Sequence, residues 1–136
     1  MPKTGAEGNK ESKPLYACGL DAAVDVVGGK WKPMILWALY AGKVLRFGEL
    51  RRHISGISEK VLIQQLRELE TDGIVHREVY REVPPKVEYS LTDLGESLNA
   101  ALIPLGLWGD EHMRQLVANR QGKCDKVTGG PTGKVA

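Results

Sequence analysis

The side chains with the clearest potential for recognition chemistry lie on one predicted helix, residues 59–71. At 100° per residue, Leu62, Leu66 and Leu69 fall on one side of this helix and form a stripe typical of a buried face. The opposite side carries hydrogen-bonding groups, namely Lys60, Gln64, Arg67 and Thr71. Glutamine can read adenine with two hydrogen bonds, and arginine or lysine can read guanine. We therefore predict a face that fits the major groove of DNA, with Ser58 as the N-terminal cap of the helix.

The same helix surface also fits a plainer interpretation. Acidic residues flank the basic ones, namely Glu59, Glu68, Glu70 and Asp72. A helix face that carries both signs of charge is typical of ordinary solvent exposure. From this helix alone, a DNA-reading face and a solvated face are both open, and the neighbouring elements have to decide between them.

A predicted β-hairpin supplies a second group of basic side chains. Residue types indicate strands over 74–80 and 87–91, joined by 81–86, where two adjacent prolines stiffen the tip. Three basic residues lie on or beside this tip: Arg77, Arg81 and Lys86. A rigid basic tip can rest on phosphates or enter the minor groove. Because Glu78 and Glu82 partly cancel its charge, ordinary strand-surface charge is the alternative.

Two arginines outside the hairpin are further candidates for DNA contact. Arg46 and Arg51 lie at a short predicted helix over 47–53, which precedes the reading helix across the turn sequence SGIS. In helix-turn-helix units this preceding helix crosses the DNA backbone. We therefore predict that both arginines contact phosphates rather than base edges.

The order of the elements predicts the fold. Apolar spacing indicates helices over 19–27 and 30–40, separated by Gly28 and Gly29, and a long last helix from Thr92 to about Asn119. Four helices, a hairpin and a final helix follow one another in the order of a winged helix-turn-helix. The prediction is a mainly α fold with a small β-hairpin, and the last helix carries an apolar seam.

Length and composition fit one globular domain with tails. Of 136 residues, 42% are apolar and 26% charged, and we predict a domain over 15–121 between flexible tails at 1–14 and 122–136. No apolar stretch approaches the ~20 residues that span a bilayer, and the first residues lack a signal-peptide core, which predicts a cytoplasmic protein without membrane contact. The net charge is only +2, and residues 43–86 hold nine basic against seven acidic side chains, so tight DNA binding is expected to need two copies of the chain.

Three segments carry a specific resemblance: CGLDAAVDVVGGKWKPMIL, LRFGELRRHISGISEKVLIQQLRELETDGIV and YREVPPKVEYSLTDLGESL. Over about residues 18–112 the chain resembles the HxlR-type family of bacterial transcription regulators, within the MarR-like winged-helix group. The resemblance implies a homodimer with one winged helix per subunit, in which the first and last helices form the dimer interface. The implied interface residues here are Leu20, Val24, Leu102, Leu105 and Trp108.

A symmetric dimer of this kind would present two reading helices about one DNA turn apart, roughly 34 Å. Such spacing favours a palindromic operator in double-stranded DNA. For the apolar seam of the last helix, core packing within one subunit is the alternative to a dimer interface.

The resemblance also implies a signal. Family members often sense oxidants or electrophiles through a cysteine just before the first helix, and Cys18 matches that position. A thiol at a helix N-terminus has its thiolate stabilised by the helix dipole. Family sequences commonly continue with proline, whereas this chain has Gly19. Three alternatives stay open: Cys18 is inert, Cys124 acts as a resolving thiol, or a small-molecule inducer binds between the dimer helices.

Other function classes find little support in the sequence. The histidines His53, His76 and His112 show no metal-ligand spacing, and no catalytic or phosphate-binding motif is present. We therefore predict neither an enzyme nor a bound metal or cofactor. A winged helix that binds protein instead of DNA is the other class, and the basic reading face argues against it. We favour repression over activation of transcription, because no segment resembles an extension that contacts RNA polymerase.

Overall fold

The computed structural model describes residues 15–124, which form five helices and three strands. In chain order these elements are α1 (Gly19–Val27), α2 (Trp31–Gly42), β1 (Val44–Arg46), α3 (Phe47–His53), α4 (Glu59–Thr71), β2 (Val75–Tyr80), β3 (Lys86–Leu91) and α5 (Asp93–Cys124). The fold is mainly helical with a small antiparallel sheet, as predicted. The predicted tail over 1–14 lies outside the described residues, as does the predicted C-terminal tail from 125 on.

The chain divides into two compact units. The first unit ends at Glu96 and contains α1 to α4, the sheet and the start of α5. The second unit begins at Ser97 and contains the remainder of α5. The helix-turn-helix and the hairpin therefore belong to one unit, which is where the predicted DNA-contacting residues lie.

The sheet has one strand more than the sequence predicted. β1 pairs antiparallel with β3, with Val44 opposite Ser90 and Arg46 opposite Glu88, and β3 lies between β1 and β2. A strand of three residues is too short to show a period of two, so the pattern gave no sign of it. α2 runs two residues beyond the predicted end and is capped by Lys43, which has φ 69° and whose N–H donates to the Leu39 carbonyl at 2.8 Å.

The core of the first unit is aliphatic and lies between the helices and the sheet. The fully buried side chains that form it are Ile35, Leu36, Leu39, Leu50, Leu62, Leu66 and Leu69. The leucine stripe of α4 is thus confirmed as the buried face. Burying one leucine stabilises the fold by about 1.5–3 kcal/mol. This burial fixes the rotation of α4 about its own axis and therefore which side chains it turns outward.

A compact joint connects the hairpin to α5. The Thr92 hydroxyl lies 2.6 Å from the Gly73 carbonyl oxygen, and it accepts the Gly95 N–H at 3.0 Å. The Thr92 N–H donates to the Ile74 carbonyl at 3.1 Å. At Gly95 an added Cβ would overlap the Ile74 carbonyl, so the start of α5 can approach this residue, which directly precedes β2, only at glycine.

The second unit is one helix whose large apolar side chains are mostly exposed. α5 runs through Pro104 without a break and continues to Cys124, five residues beyond the expected end near Asn119. It includes the first three residues of the predicted tail, 122–124. Exposed apolar residues along it are Ile103, Leu105, Leu107, Trp108, Met113, Leu116 and Val117. No helix within residues 15–124 is both long and apolar enough to cross a membrane.

Candidate nucleic-acid interface

The helix-turn-helix consists of α3, a five-residue turn and α4. Ser58 caps α4 as predicted, because its hydroxyl accepts the Val61 N–H at 3.1 Å. In the turn, Gly56 has φ 86°, a conformation that other residues rarely adopt. The Arg51 Nε donates to the Ile57 carbonyl at 3.4 Å. Arg51 therefore also holds the turn in place, a role that the sequence did not indicate.

The outer face of α4 presents the predicted polar groups to solvent. We call this the reading face, and it consists of Lys60, Gln64, Arg67 and Thr71, all of them exposed. Lys60 and Arg67 form no ion pair with any residue of the described range. Their charges are thus available to a nucleic acid. Acidic neighbours surround this face, as the sequence indicated, but one of them, Glu68, is engaged elsewhere.

Glu68 links the reading face to a buried lysine. Its Oε1 lies 2.6 Å from the Nζ of Lys32, a residue of α2, and its Oε2 accepts a hydrogen bond from Gln64 Nε2 at 3.3 Å. Two hydrogen bonds lower the pKa of Glu68. The bond to Lys32 has the larger effect, and the bond to Gln64 has the smaller. Glu68 therefore stays ionised, and its charge is partly compensated by Lys32.

A groove of about 510 Å³ lies between α4 and the hairpin. We call this hairpin, formed by β2, β3 and the tip at 81–85, the wing. The walls of the groove bring together Arg67 of α4 and Arg77 of β2. Glu59 and Glu70 line the same groove, so its charge is mixed. Apolar side chains complete the lining: Phe47, Ile63, Leu66, Val87 and Tyr89.

Of the two basic residues in or beside the wing tip, one is freely exposed and the other is engaged. Arg81 follows β2 in the tip and is exposed. Lys86 is only 26% exposed, lies 4.5 Å from the ring centroid of Tyr80 and pairs with Glu88 at 3.8 Å. The hydrogen bond to Glu88 raises the pKa of Tyr80. Lys86 is thus tied to its own hairpin, which leaves Arg81 as the more accessible of the two basic side chains.

Arg46 stands at the start of α3, where β1 ends. Its backbone N–H donates to the Glu49 side chain at 2.8 Å, which satisfies one of the free donors at the helix N-terminus. The residue is exposed, and so is Arg51. Both arginines therefore belong to the surface of the helix that precedes the reading helix, as the sequence placed them.

Cys18 occupies the N-cap position of α1 and is exposed. Its carbonyl accepts the Ala22 N–H at 3.1 Å, and the neighbouring Ala17 N–H donates to Asp21 at 2.9 Å. The Tyr16 hydroxyl donates to Asp25 at 2.7 Å, and this bond raises the pKa of Tyr16. The predicted thiol position is thus at a helix start. The side chain of Cys124 lies outside the described residues.

The residues implied for the dimer interface are largely uncovered in a single chain. In the first unit, Leu20 is 73% and Val24 is 56% exposed, and α1 has no buried residue. In the second unit, Leu105 is 63% and Trp108 is 51% exposed, whereas Leu102 is half-buried. Trp108 stacks on His112 with ring centroids 4.6 Å apart. The apolar side chains of the seam from Leu105 on are therefore exposed in the single chain.

Two features of this site escaped the sequence analysis. One is β1, which adds Arg46 to the sheet beside β3. The other is Lys32, whose only signal was a lysine within an otherwise apolar helix. Among residues 15–124, no group of three or more His, Cys, Asp or Glu side chains could hold a metal ion.

A tight helix-turn-helix, an exposed polar face on its second helix and an adjacent hairpin define the class of winged helix-turn-helix DNA-binding proteins. The family model described as HxlR-like helix-turn-helix matches residues 26–117. The chain therefore belongs to the HxlR-like helix-turn-helix family, and the predicted resemblance is confirmed. Membership makes it a DNA-binding transcription regulator.

Individual relatives agree with this assignment. The chain is 45% identical to the uncharacterized HTH-type transcriptional regulator YybR of Bacillus subtilis, over 81% of this chain and 90% of YybR. Among solved structures, the redox regulator HypR in its reduced form is 44% identical, with a TM-score of 0.69 over 74% of this chain and 99% of HypR. Diamide-treated YodB of B. subtilis is 37% identical, with a TM-score of 0.60 over 69% of this chain and 93% of YodB.

Proposed function

We propose that this chain is a homodimeric repressor that binds a palindromic operator through the reading face of α4 and the wing. The observation that carries the proposal is the outward convergence of Lys60, Gln64 and Arg67 beside a hairpin that bears Arg77 and Arg81. The reading face enters the major groove, where Gln64 and Arg67 contact base edges. The wing rests on the neighbouring backbone.

Phosphate contacts position the reading face. Arg46 and Arg51, on and beside α3, meet the backbone on one side, and Arg81 with Arg77 meets it on the other. Ser58 and Lys60 add donors at the N-terminal end of α4, where the helix dipole favours a phosphate. Lys86 contributes less, because it is already paired with Glu88. The repressor acts in the cytoplasm, where the DNA is, and needs neither cofactor nor catalytic activity.

Two observations support dimerisation: the nearly balanced charge of residues 43–86 and the exposed apolar side chains of α1 and α5. Residues 43–86 contain nine basic and seven acidic side chains, so one subunit gains little from phosphate contacts alone. Two linked subunits bind with an avidity that neither has by itself. Exposed apolar side chains on α1 and on α5 support an interface of the homodimer through these two helices.

The first test concerns Gln64 and Arg67, the side chains proposed to contact base edges. A binding site can be selected from random DNA duplexes with the wild-type protein and its Kd measured by fluorescence anisotropy. We expect Gln64→Ala or Arg67→Ala to weaken binding to this site by about 1–3 kcal/mol each, because a bidentate base contact is lost. Binding to a scrambled duplex is expected to stay nearly constant. Gln65→Ala is the matched control, since Gln65 is half-buried and off the reading face.

Arg81→Ala is expected to behave differently. It removes a phosphate contact, so it should weaken the selected and the scrambled duplex alike and lower the slope of log Kd against log salt by about one. If Gln64→Ala leaves both the affinity and the footprint unchanged, the reading face is assigned wrongly.

We further propose that oxidation of Cys18 switches DNA binding. Exposure of Cys18 at the start of α1, one of the two proposed dimer helices, supports this step. So does the likeness to HypR, which is named a redox regulator and was solved reduced and oxidized, and to YodB, which was treated with diamide. Diamide takes two electrons and two protons from a pair of thiols, which then form one disulfide. A disulfide at α1 would shift the two reading helices relative to each other.

Cys18→Ser is expected to abolish the response to oxidant. Diamide should change the operator affinity of the wild-type protein by about tenfold or more, whereas the variant should bind equally well with and without it. Cys124→Ser in parallel separates a disulfide between two Cys18 thiols, which it leaves intact, from one that joins Cys18 to Cys124. If wild-type binding ignores diamide, Cys18 is inert, and a small-molecule inducer without a thiol switch becomes the proposed signal.

A further inference from the structure

Lys32 is a charged side chain in a place that suits an apolar one. It lies on the core-facing side of α2, and its side chain is only 8% exposed. A buried ammonium costs free energy unless a partner compensates it. That partner is the carboxylate of Glu68, at 2.6 Å, on the edge of the reading face of α4. The lysine thus connects the core of the first unit to the surface proposed to meet DNA.

The connection continues by one more bond to Gln64. An ionised carboxylate only accepts hydrogen bonds, so the Gln64 amide has to turn its Nε2 toward Glu68 Oε2, at 3.3 Å. This contact leaves the carbonyl oxygen and one N–H of the amide for a base edge. Those two groups are what a bidentate contact to adenine uses.

We propose that Lys32 and Glu68 are positioning residues that set the sequence preference of Gln64. This inference rests on the proposed function, in which Gln64 reads a base. Lys32, anchored in the core, fixes the Glu68 carboxylate, and the carboxylate fixes the orientation of the Gln64 amide. The side chain is then ordered before DNA arrives, so less conformational entropy is lost on binding. Neither Lys32 nor Glu68 itself touches a base.

The rest of the reading face argues for a role specific to Gln64. Lys60 and Arg67 have no ion pair within the described residues. They are long and cationic, so they can adjust to phosphates or to guanine from several rotamers. A neutral amide has no long-range attraction to guide it and depends on a defined orientation. Gln64 is thus the residue of the reading face that needs a fixed orientation, and the Glu68 carboxylate supplies it.

The test begins by finding the base that Gln64 reads. Each position of the selected half-site is substituted in turn, and the Kd ratio gives the preference of the protein at that position. The position at which Gln64→Ala loses the preference is the one that Gln64 reads. Lys32→Met is then expected to reduce the preference at that same position about tenfold, the size of ordering one long side chain. Preferences at the other positions should stay unchanged.

Two comparisons separate this role from a general structural one. In the Gln64→Ala background, Lys32→Met should change the preference at that position no further, because it acts only through Gln64. Lys30→Met is the matched control, since Lys30 stands on the same end of α2 but lies over Trp31, 4.7 Å from the ring centroid. It removes the same charge and should leave the preference intact.

Glu68→Gln gives a second route if Lys32→Met does not fold. The new amide keeps an oxygen for Lys32, but its nitrogen is a donor and cannot accept from Gln64. The preference at the Gln64 position should therefore fall about as far as in Lys32→Met. The proposal is overturned if Gln64→Ala abolishes a preference that folded Lys32→Met and Glu68→Gln both retain. If Gln64→Ala abolishes no preference, the reading assignment itself is wrong, and the proposal fails with it.

Discussion

Leu105→Glu is expected to split the homodimer and to weaken operator binding by about a hundredfold or more. Leu105 is 63% exposed in the single chain and lies on the apolar seam of α5. In a symmetric dimer each substitution appears twice, so two carboxylates would enter an apolar interface without partners. A monomer then holds only one half-site and loses the gain from linked binding. Sedimentation gives the mass, and fluorescence anisotropy gives the affinity.

The chain offers a close control for this experiment. Leu107 has the same residue type and nearly the same exposure, 61%, but at 100° per residue it points to the opposite side of α5. Leu107→Glu should leave the dimer and its DNA binding intact. A Leu105→Glu protein that sediments as a dimer would contradict the interface assigned to the seam. If both variants are monomers, the interface covers more of α5 than the seam.

Gly95→Ala is expected to lower the free energy of unfolding by about 3 kcal/mol. In most helices this exchange stabilises by up to about 1 kcal/mol. At this position the added methyl group would overlap the Ile74 carbonyl oxygen, which already accepts the Thr92 N–H at 3.1 Å. Ile74 and the start of α5 would have to separate, and backbone shifts of this kind outweigh the gain in helix propensity. Thermal unfolding followed by circular dichroism measures the difference.

Gly106→Ala is the comparison for that substitution. Gly106 lies in the same helix and has open space around its Cα, so alanine there should stabilise slightly. A melting temperature for Gly95→Ala equal to or above that of the wild type would show that the joint tolerates the side chain. The close approach of Gly95 to Ile74 would then not limit the residue type at this position.

The rotation of α4 about its own axis could be predicted from the sequence, because one periodic pattern of leucines determines it. Leu62, Leu66 and Leu69 mark the buried stripe, and Gln64 follows on the outside by geometry alone. The Ser58 cap was also predictable, since a serine before a helical pattern is a local signal. The match of all five helices to the structure follows from the same local rules.

Contacts between distant segments were not predictable in this way. Lys32 and Glu68 are 36 positions apart, and no local pattern pairs them. Lys86 counted as a free basic residue in the sequence, but the Tyr80 ring contacts it from the other strand of the hairpin, and it pairs with Glu88 of its own strand. β1 was missed because its pairing with β3 depends on the folded sheet and not on its three residues. Tertiary geometry therefore decides which charges are available to DNA.

The most direct test of sequence-specific dimeric binding is an anisotropy titration of the wild-type protein against the DNA upstream of its own gene, at several salt concentrations. We expect two chains per bound duplex, tighter binding than to a scrambled duplex of equal length, and affinity that falls steeply with salt. Equal affinity for both duplexes, or binding of a single chain, would contradict a sequence-specific dimeric regulator.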